Sequence, residues 1–496
     1  MASGTNPGSL ASHPPTATRE VVHTVMSTAL TPSWLTQPED PNALHSGVWP
    51  ARTSRDGLGV LNFAGVSATE LVESYGTPLY VMDEAEVKAR ALEFRSAVKA
   101  ACEPRGVRGE VFYASKSFTS GHMVSWLADC GLGFDVATGG ELAVALAGGS
   151  SPERIEFQGN NKSVAELKTA IDAGVGCIVM DAPIEATRIS ALAVEAGVIQ
   201  DVMIRVNTGV HADTHEYLAT AREDQKFGLS PAETRQLVEH VRDLPGLRCV
   251  GLHSHIGSQI FALGGFLEAA TRLVELCAEW ADDGDFTTLN LGGGFGIAYT
   301  EADSSLDIST VVKAIVDHAL DTAERVGANI GTLAFEPGRY ISGPAGTTLY
   351  SVGVVKPVAV SDPATQATQT RTYVSVDGGM SDNARTALYG ANYSTRIASR
   401  VSTAEPALVR VVGKHCESGD IVVNADFLPA DIEPGDVLAV AATGAYCYSL
   451  ASNYNVVGRP PVVWVNEGQH GVMVSGESID DVMGRDRGLA NVKVGE

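Results

Sequence analysis

Cysteine is sparse in this 496-residue chain, and the seven present follow no pattern. They stand at 102, 130, 177, 249, 277, 416 and 447, with no CxxC pair. An odd, irregular set is neither a disulfide framework nor a zinc module, and it points to a reducing, cytoplasmic compartment. Positive charge is scarce as well: 35 Lys and Arg stand against 59 Asp and Glu, a formal net charge of −24. A general nucleic-acid binder needs the reverse balance to neutralise phosphates, so that class is excluded, whereas a local site for a small anion is not. No apolar run nears the ~18 residues of a membrane span, so no membrane partner is expected. The opening stretch, MASGTNPGSLASHPPTATRE, lacks the basic and apolar blocks of a secretory signal. Its Ser, Thr, Pro and Ala bias predicts a mobile tail over residues 1–50. The remainder, with 44% hydrophobic and 19% charged residues overall, has the balance of a globular protein with a large core.

What is present is a rhythm. From about residue 110, short β-rich runs recur, each followed by a helical pattern. They are VFYAS (111–115), GFDVA (133–137), IEFQG (155–159), CIVMD (177–181), VMIRVN (202–207), CVGLHSHIG (249–257), TLNLGGG (288–294) and LAFEPG (333–338). Between them, SVAELKTAIDAG and SPAETRQLVEHVRDLPG each open on a Ser with Glu three residues later, the signature of a capped helix start. Eight such units predict an α/β fold, a closed parallel (β/α)8 TIM-like barrel, in preference to an open doubly wound sheet. The polar residues favour the barrel too. Lys116, Asp135, Asn160, Asp181, Asn207, His255, Gly292 to Gly294 and Glu336 all fall at C-terminal strand ends, which in a barrel converge on one mouth.

Ahead of the barrel, GTPLYVMDEAEVKARALEFRSAVKA reads as one strand and one helix. Beyond residue 345, runs such as TTLYSVGVVKPVAV, RTYVSVDGG, ALVRVVGK and DVLAVAAT alternate between Gly, Pro and Asp turns, which predicts a C-terminal antiparallel β domain. The expected division is a tail at 1–50, a lead-in at 51–84 whose strand joins the β domain, a barrel at 85–345, and a β-barrel or sandwich domain at 346–496.

Four segments could carry chemistry. In FYASKSF, Lys116 follows a strand, where it could form an imine with a carbonyl; a surface lysine opening a helix would look the same. In LNLGGGFGI, Gly292, Gly293 and Gly294 let backbone N–H groups approach a phosphate, or simply make a tight turn. GLHSHIGSQ places His253 and His255 at i, i+2, with Ser258 beyond as a phosphate hydroxyl. No third ligand completes a metal set, so no metal is expected there. FEPGRY pairs Glu336 with Arg339, which suits either a salt bridge or a carboxylate holding a ring nitrogen protonated. One cofactor, pyridoxal 5'-phosphate, makes sense of all four, since it needs an imine lysine, a phosphate nest, a flat partner and an acidic partner for its pyridine nitrogen.

Together with EPGR, GKHCESGD (413–420) and GAYCYSLASNYN (444–455), these segments make the chain, from about 58 to 480, similar to the fold-type III pyridoxal-phosphate decarboxylases. That is the ornithine/diaminopimelate/arginine decarboxylase family, and GVHADTHEYLATAREDQKFGLS (209–230) resembles its diaminopimelate branch. The resemblance implies that Lys116 is the Schiff-base lysine and that His255 stacks on the cofactor ring. It implies that Gly292, Gly293, Gly294 and Ser258 bind phosphate, with Glu336, Pro337, Gly338 and Arg339 closing the site and Glu336 on the pyridine nitrogen. Tyr446 would touch the phosphate or substrate edge, and Arg339, Arg385 and Tyr389 the substrate. Cys416 would be the proton donor, a role open to a thiol of ordinary pKa ~8.5. Glu417 would pair with the distal ammonium, and in the family this loop comes from the partner subunit of a homodimer. The implied reaction is decarboxylation of meso-2,6-diaminopimelate to L-lysine, the last step of lysine biosynthesis. The chain departs from the family at Thr386, where proline is usual, and at Thr138 and Thr208.

Other readings of the same fold are a decarboxylase of ornithine, arginine or a carboxylated polyamine, a racemase, and a non-catalytic regulator. Arg385, Tyr389 and Glu417 count against the first, and Cys416 against the second. Retention of Lys116 and Cys416 counts against the third. GKHCESGD leaves His415 without a role.

Overall fold

The computed structural model describes residues 30–210, 226–361 and 368–489. Eight strands form a closed parallel barrel: Arg108–Ala114, Gly133–Val136, Ile155–Phe157, Cys177–Met180, Gln200–Arg205, Leu247–His253, Thr288–Asn290 and Thr332–Phe335. They pair in chain order, and the ring closes where Thr332 meets Arg108. Each of the eight β-rich runs coincides with one of these strands.

The helices between them start where local chemistry dictates. Ser163 caps Val164–Ala173 and Ser230 caps Pro231–Arg242; each hydroxyl accepts from a Glu backbone N–H while that Glu carboxylate turns back to the Ser N–H. Each box satisfies two otherwise unpaired donors, and loss of such a cap costs about 1 kcal/mol. Leu167 and Ile171 in the first helix, and Leu237, Val238 and Val241 in the second, form the buried apolar stripe.

The expected run of eight strand-then-helix units needs one correction. Thr332–Phe335 is followed only by the short helix Arg339–Ser342. The long helix Glu84–Cys102 precedes the first barrel strand and packs against both it and the helix Ile308–Val326. The outer ring of helices is therefore completed from the front of the chain.

A second, nine-stranded sheet lies beyond the barrel. Its long strand Gly346–Ser361 pairs antiparallel with Thr368–Val376, with Val437–Ala441 and with the lead-in strand Leu79–Asp83. The expected antiparallel domain is in fact mixed. Thr368–Val376 runs parallel to Pro406–Val412, and Leu79–Asp83 runs parallel to Val462–Asn466. Short hairpins force antiparallel neighbours, but strands brought together from distant parts of the chain are free of that constraint.

The expectation of a mobile tail over 1–50 is corrected for residues 30–50, which dock on the β domain. Asn42 exchanges two hydrogen bonds with the Ser402 backbone, at 2.8 and 3.1 Å. The buried Arg396 donates to the Ala43 carbonyl at 2.8 Å and pairs with Asp426 and Glu301. Val48 and Trp49 enter a small apolar cluster with Leu61, Phe63, Leu79 and Val463. Residues 1–29, and most of the diaminopimelate-like segment 209–230, lie outside the described residues. Among the described residues, no helix is long and apolar enough to cross a membrane.

Candidate active site

The strand Arg108–Ala114 runs straight into a single 3-10 turn, Ser115–Ser117, which puts Lys116 into a cavity of about 600 Å³ at the barrel mouth. Asp135, Arg205, Phe227, His255 and Tyr389 line the same cavity. Lys116 is open to this space but walled round by protein. Burial and the Arg205 guanidinium work to lower its pKa; Asp135, Tyr446 and Glu336 outweigh them and hold it above the ordinary lysine value.

Three carboxyls sit buried within the barrel: Asp135, Glu156 and Glu336. Burial and mutual repulsion mean that they cannot all ionise. Burial, with Glu336 nearby, pushes both Asp135 and Glu156 well above the usual range. Glu336 goes the other way. Burial opposes its charge, but His253 at 3.1 Å, with Lys116 and His255, holds it down to about 2. Asn290 donates to it at 2.7 Å, and Gln158 donates as well. Glu336 is thus the fixed negative charge of the site, paired with His253 rather than with Arg339.

His255 is different. Burial, with Lys116 and Arg205 close by, pushes its pKa well below the ordinary value, so the ring is neutral. Its Nδ1 accepts from the Gly293 N–H at 3.2 Å, which leaves the proton on Nε2. The glycine run is needed for close approach. A Cβ on Gly293 would lie 2.1 Å from the Glu336 carbonyl, and Gly294, at φ +106°, would meet the Gly257 carbonyl at 2.5 Å. His253 and His255 each have their own partner, and among the described residues no three His, Cys, Asp or Glu converge as a metal site.

Arg339 lines the space around Lys116, and the buried Arg385 lies behind it, both guanidiniums packing on the ring of Tyr299. Arg339 donates to Ser258 Oγ at 2.7 Å and to the Tyr299 hydroxyl, and lies 4.7 Å from the Tyr446 ring. Arg385, buried at the start of the helix Arg385–Tyr389, stacks 4.6 Å from the Tyr299 ring and donates to the Tyr393 hydroxyl at 2.5 Å. Tyr446 reaches the barrel from the β domain through its backbone N–H, which donates to the Ser117 carbonyl at 2.8 Å. Thr386, the departure from proline, donates its hydroxyl to the Val422 carbonyl at 3.1 Å.

Cys416 and Glu417 are elsewhere. The strand Pro406–Val412 ends before them and Ile421–Pro429 begins after them. The two strands are antiparallel neighbours, so 413–420 is the tip of their hairpin. Cys416 is exposed, and the Glu417 carboxylate accepts from the Tyr454 hydroxyl. Neither residue lines the Lys116 cavity of the same chain.

Residues 84–343 match the family described as pyridoxal-dependent decarboxylase, pyridoxal binding domain. The chain is 49% identical over 448 residues to the diaminopimelate decarboxylase of Mycobacterium tuberculosis, covering 89% of this chain and 98% of that one. The chain belongs to the diaminopimelate decarboxylase family. To the Bacillus subtilis member it is 43% identical over 429 residues, 86% of this chain and 94% of that one. Its fold superposes on diaminopimelate decarboxylase from M. jannaschii in complex with L-lysine, with a TM-score of 0.80 at 30% identity over 88% of this chain and 98% of that one.

The decarboxylase family takes pyridoxal phosphate, and the donor set present fits it. There is an amine open to the cavity, a neutral flat ring, a backbone cradle that tolerates no Cβ, and one buried carboxylate kept ionised. Several residues of this decarboxylase site escape motif reading. Arg205 could have been found as another polar residue at a strand end. Gln158, directly after Ile155–Phe157, carries the same signal. Tyr299, Tyr393 and Glu156 give none, because their part in the site comes from contacts across the barrel and with the β domain.

Proposed function

We propose that the protein decarboxylates meso-2,6-diaminopimelate to L-lysine and CO2, the last step of lysine biosynthesis, using pyridoxal 5'-phosphate at the barrel mouth. The observation that carries this reading is that Arg339, which lines the space around Lys116, and Arg385 both pack on the ring of Tyr299. A second carboxylate is what separates diaminopimelate from ornithine or lysine, and two fixed guanidiniums suit a carboxylate.

When bound, the cofactor supplies a sink for the electron pair that stays on the substrate carbon as CO2 departs. Lys116 is the amine that would hold it. His255 would offer its neutral ring to the cofactor, and Gly292, Gly293, Gly294 and Ser258, with the Pro337–Gly338 turn, would hold its phosphate. The Ser258 hydroxyl can donate there while accepting from Arg339, since it has one donor and two acceptor positions. Glu336, held ionised by His253, would favour a protonated nitrogen on the cofactor ring. Tyr446 and Tyr389 border the substrate, and Cys416 Sγ delivers the proton to the carbon that lost CO2. Glu417 pairs with the distal ammonium.

Since Cys416 and Glu417 do not line their own chain's cavity, the reading requires a second copy to present them. Exposed apolar side chains lie on segments that contact this hairpin: Leu388 and Tyr389 on the Arg385–Tyr389 helix, and Tyr454 and Val456 beside Glu417. A homodimer would cover them. The division into a lead-in, a barrel to about 345 and a β domain beyond belongs to the same proposal. So does a cytoplasmic setting, which suits free thiols at all seven cysteines.

The test is a paired assay on the purified protein. kcat/KM for diaminopimelate should exceed that for ornithine and for lysine by at least about 10³-fold, as expected when a buried polar site meets an analogue that leaves it unpaired. A higher value for ornithine would sink the substrate assignment.

A further inference from the structure

His415 precedes Cys416 and had no role in the sequence. It is buried, 7% exposed, although its neighbours in the chain are at the surface. Both ring nitrogens are engaged. Nδ1 lies 2.8 Å from Asn455 Oδ1, and Nε2 lies 2.7 Å from Ser381 Oγ. A neutral ring satisfies both, with Nδ1–H donating to Asn455 and Nε2 accepting from the Ser381 hydroxyl. The His415 backbone N–H donates to Asp420 Oδ2 at 2.7 Å, and Asp420 Oδ1 accepts from Met380 N–H at 2.6 Å. Lys414 N–H donates to the Gly378 carbonyl at 2.9 Å.

One ring thus ties three segments together. The first is the hairpin tip with Cys416 and Glu417. The second is 378–382, which leads directly into Arg385. The third is 452–456, where Ser452 N–H donates to the Ser381 carbonyl at 2.8 Å. In the third, Asn455 and Val456 have φ of +52° and +62°, a left-handed backbone that costs a β-branched residue most. The preceding residue, Tyr454, packs its ring 5.3 Å from the His415 ring and donates its hydroxyl to Glu417.

We propose that His415 is a positioning residue: its two ring hydrogen bonds set the hairpin tip so that Cys416 meets one face of the substrate carbon and Tyr454 holds Glu417 for the distal ammonium. An exposed turn without such ties samples many conformers, and proton delivery to one face needs an orientation held to about 1 Å. Through Ser381 the same ring sets the chain leading to Arg385, so the hairpin presented outward and the arginine packed on Tyr299 share one anchor. The inference rests on the roles proposed for Cys416 and Glu417.

The experiment is turnover of diaminopimelate in D2O by the dimeric, cofactor-loaded enzyme. The carbon that loses CO2 becomes the lysine ε-carbon, and the deuterium it gains has a stereochemistry that NMR reads. His415→Phe keeps a ring of similar size and loses both hydrogen bonds. It should leave the dimer and cofactor content unchanged and lower kcat about tenfold or more. It should also raise KM for diaminopimelate and scramble the deuterium between the two faces. His415→Gln, which can still reach Ser381, should restore part of the stereoselectivity. Ser381→Ala removes one tie and only a single oxygen from the buried contact, and should show the same changes at smaller size even where His415→Phe fails to fold. Single-face deuteration and wild-type kcat in both His415→Phe and Ser381→Ala, with Cys416→Ala defective, would overturn the positioning role. Wild-type behaviour of Cys416→Ala would instead overturn the reading beneath it.

Discussion

Lys116 and Glu336 stand inside a closed ring of eight strands, whereas Cys416 and Glu417 stand on a hairpin tip that faces outward. The first pair is fixed by burial and by charges on three other barrel strands, those of Asp135, Arg205 and His253. Glu336 alone touches side chains from three barrel strands or their ends: Gln158, His253 and Asn290. The second pair is fixed by a handful of local hydrogen bonds around His415 and Tyr454. A half-site that must hold a charge out of water needs enclosure. On the proposed reading the second half-site serves another molecule's cavity, so it has to be exposed and takes its order from side-chain ties instead.

That contrast can be broken most forcefully at Lys116. Lys116→Ala should lose turnover to below detection, and borohydride, which should fix the cofactor to Lys116 in the wild type, should leave no adduct on the matching peptide by mass spectrometry. Cys416→Ala should keep the cofactor yet lower kcat by about 10²–10⁴-fold, the usual weight of a proton donor. If the two halves do come from different subunits, mixing these two inactive variants should restore about a quarter of wild-type activity by random exchange of chains. No recovery after verified exchange would place both halves in one chain. Glu336→Gln removes the ionised member of the three buried carboxyls and should cost about 10²–10³-fold in kcat, with little change in KM. Glu417→Ala acts at the remote end and should raise KM for diaminopimelate about tenfold while kcat holds, which steady-state kinetics reads directly.

The smallest effect concerns two buried carboxyls, one on each side of the contrast. Glu336, with His253 beside it, has its pKa lowered from 4.5 to about 2. Its stabilising contribution is present above about pH 4.5 and is lost as pH falls toward 2. Asp382, in the segment tied to the Cys416 hairpin, has hydrogen bonds from Tyr350 and the Gly379 N–H but no cation, and burial raises it from 3.8 to about 7. There the folded state favours the protonated form, so stability falls as pH rises from 3.8 to about 7. Thermal unfolding of Asp382→Asn against wild type should show a difference in Tm that changes across that window and levels off above pH 7. A difference independent of pH would mean that Asp382 does not titrate there.

Much of the barrel could be read from the chain because its signals are local. Strand runs with polar residues at their ends, and Ser–Glu caps at 163–166 and 230–233, depend only on neighbours a few residues apart. The helix that closes the outer ring was harder to place, since Glu84–Cys102 lies on the wrong side of the first strand for a strict strand-then-helix count. The parallel pairings in the β domain and the docking of residues 30–50 were hidden for the same reason. Leu79–Asp83 meets Val462–Asn466, and Ala43 meets Arg396, across hundreds of residues.

Within the site the same line divides what was visible. Lys116, the glycines 292–294, Glu336 and Cys416 announce themselves by residue type and local spacing, and so do the family and its cofactor. Which of three buried carboxyls keeps its charge depends on His253 lying 3.1 Å from Glu336 and not from Glu156 or Asp135. Tyr299 earns its place only because two arginines from different parts of the chain close on it. His415 shows its use only once Ser381 and Asn455 are folded against its two nitrogens. The chemistry of individual residues is written in their identity and immediate context, so the amino-acid sequence determined it. Distances between groups remote in the chain decide charge state, orientation and exposure, and only folding sets those distances.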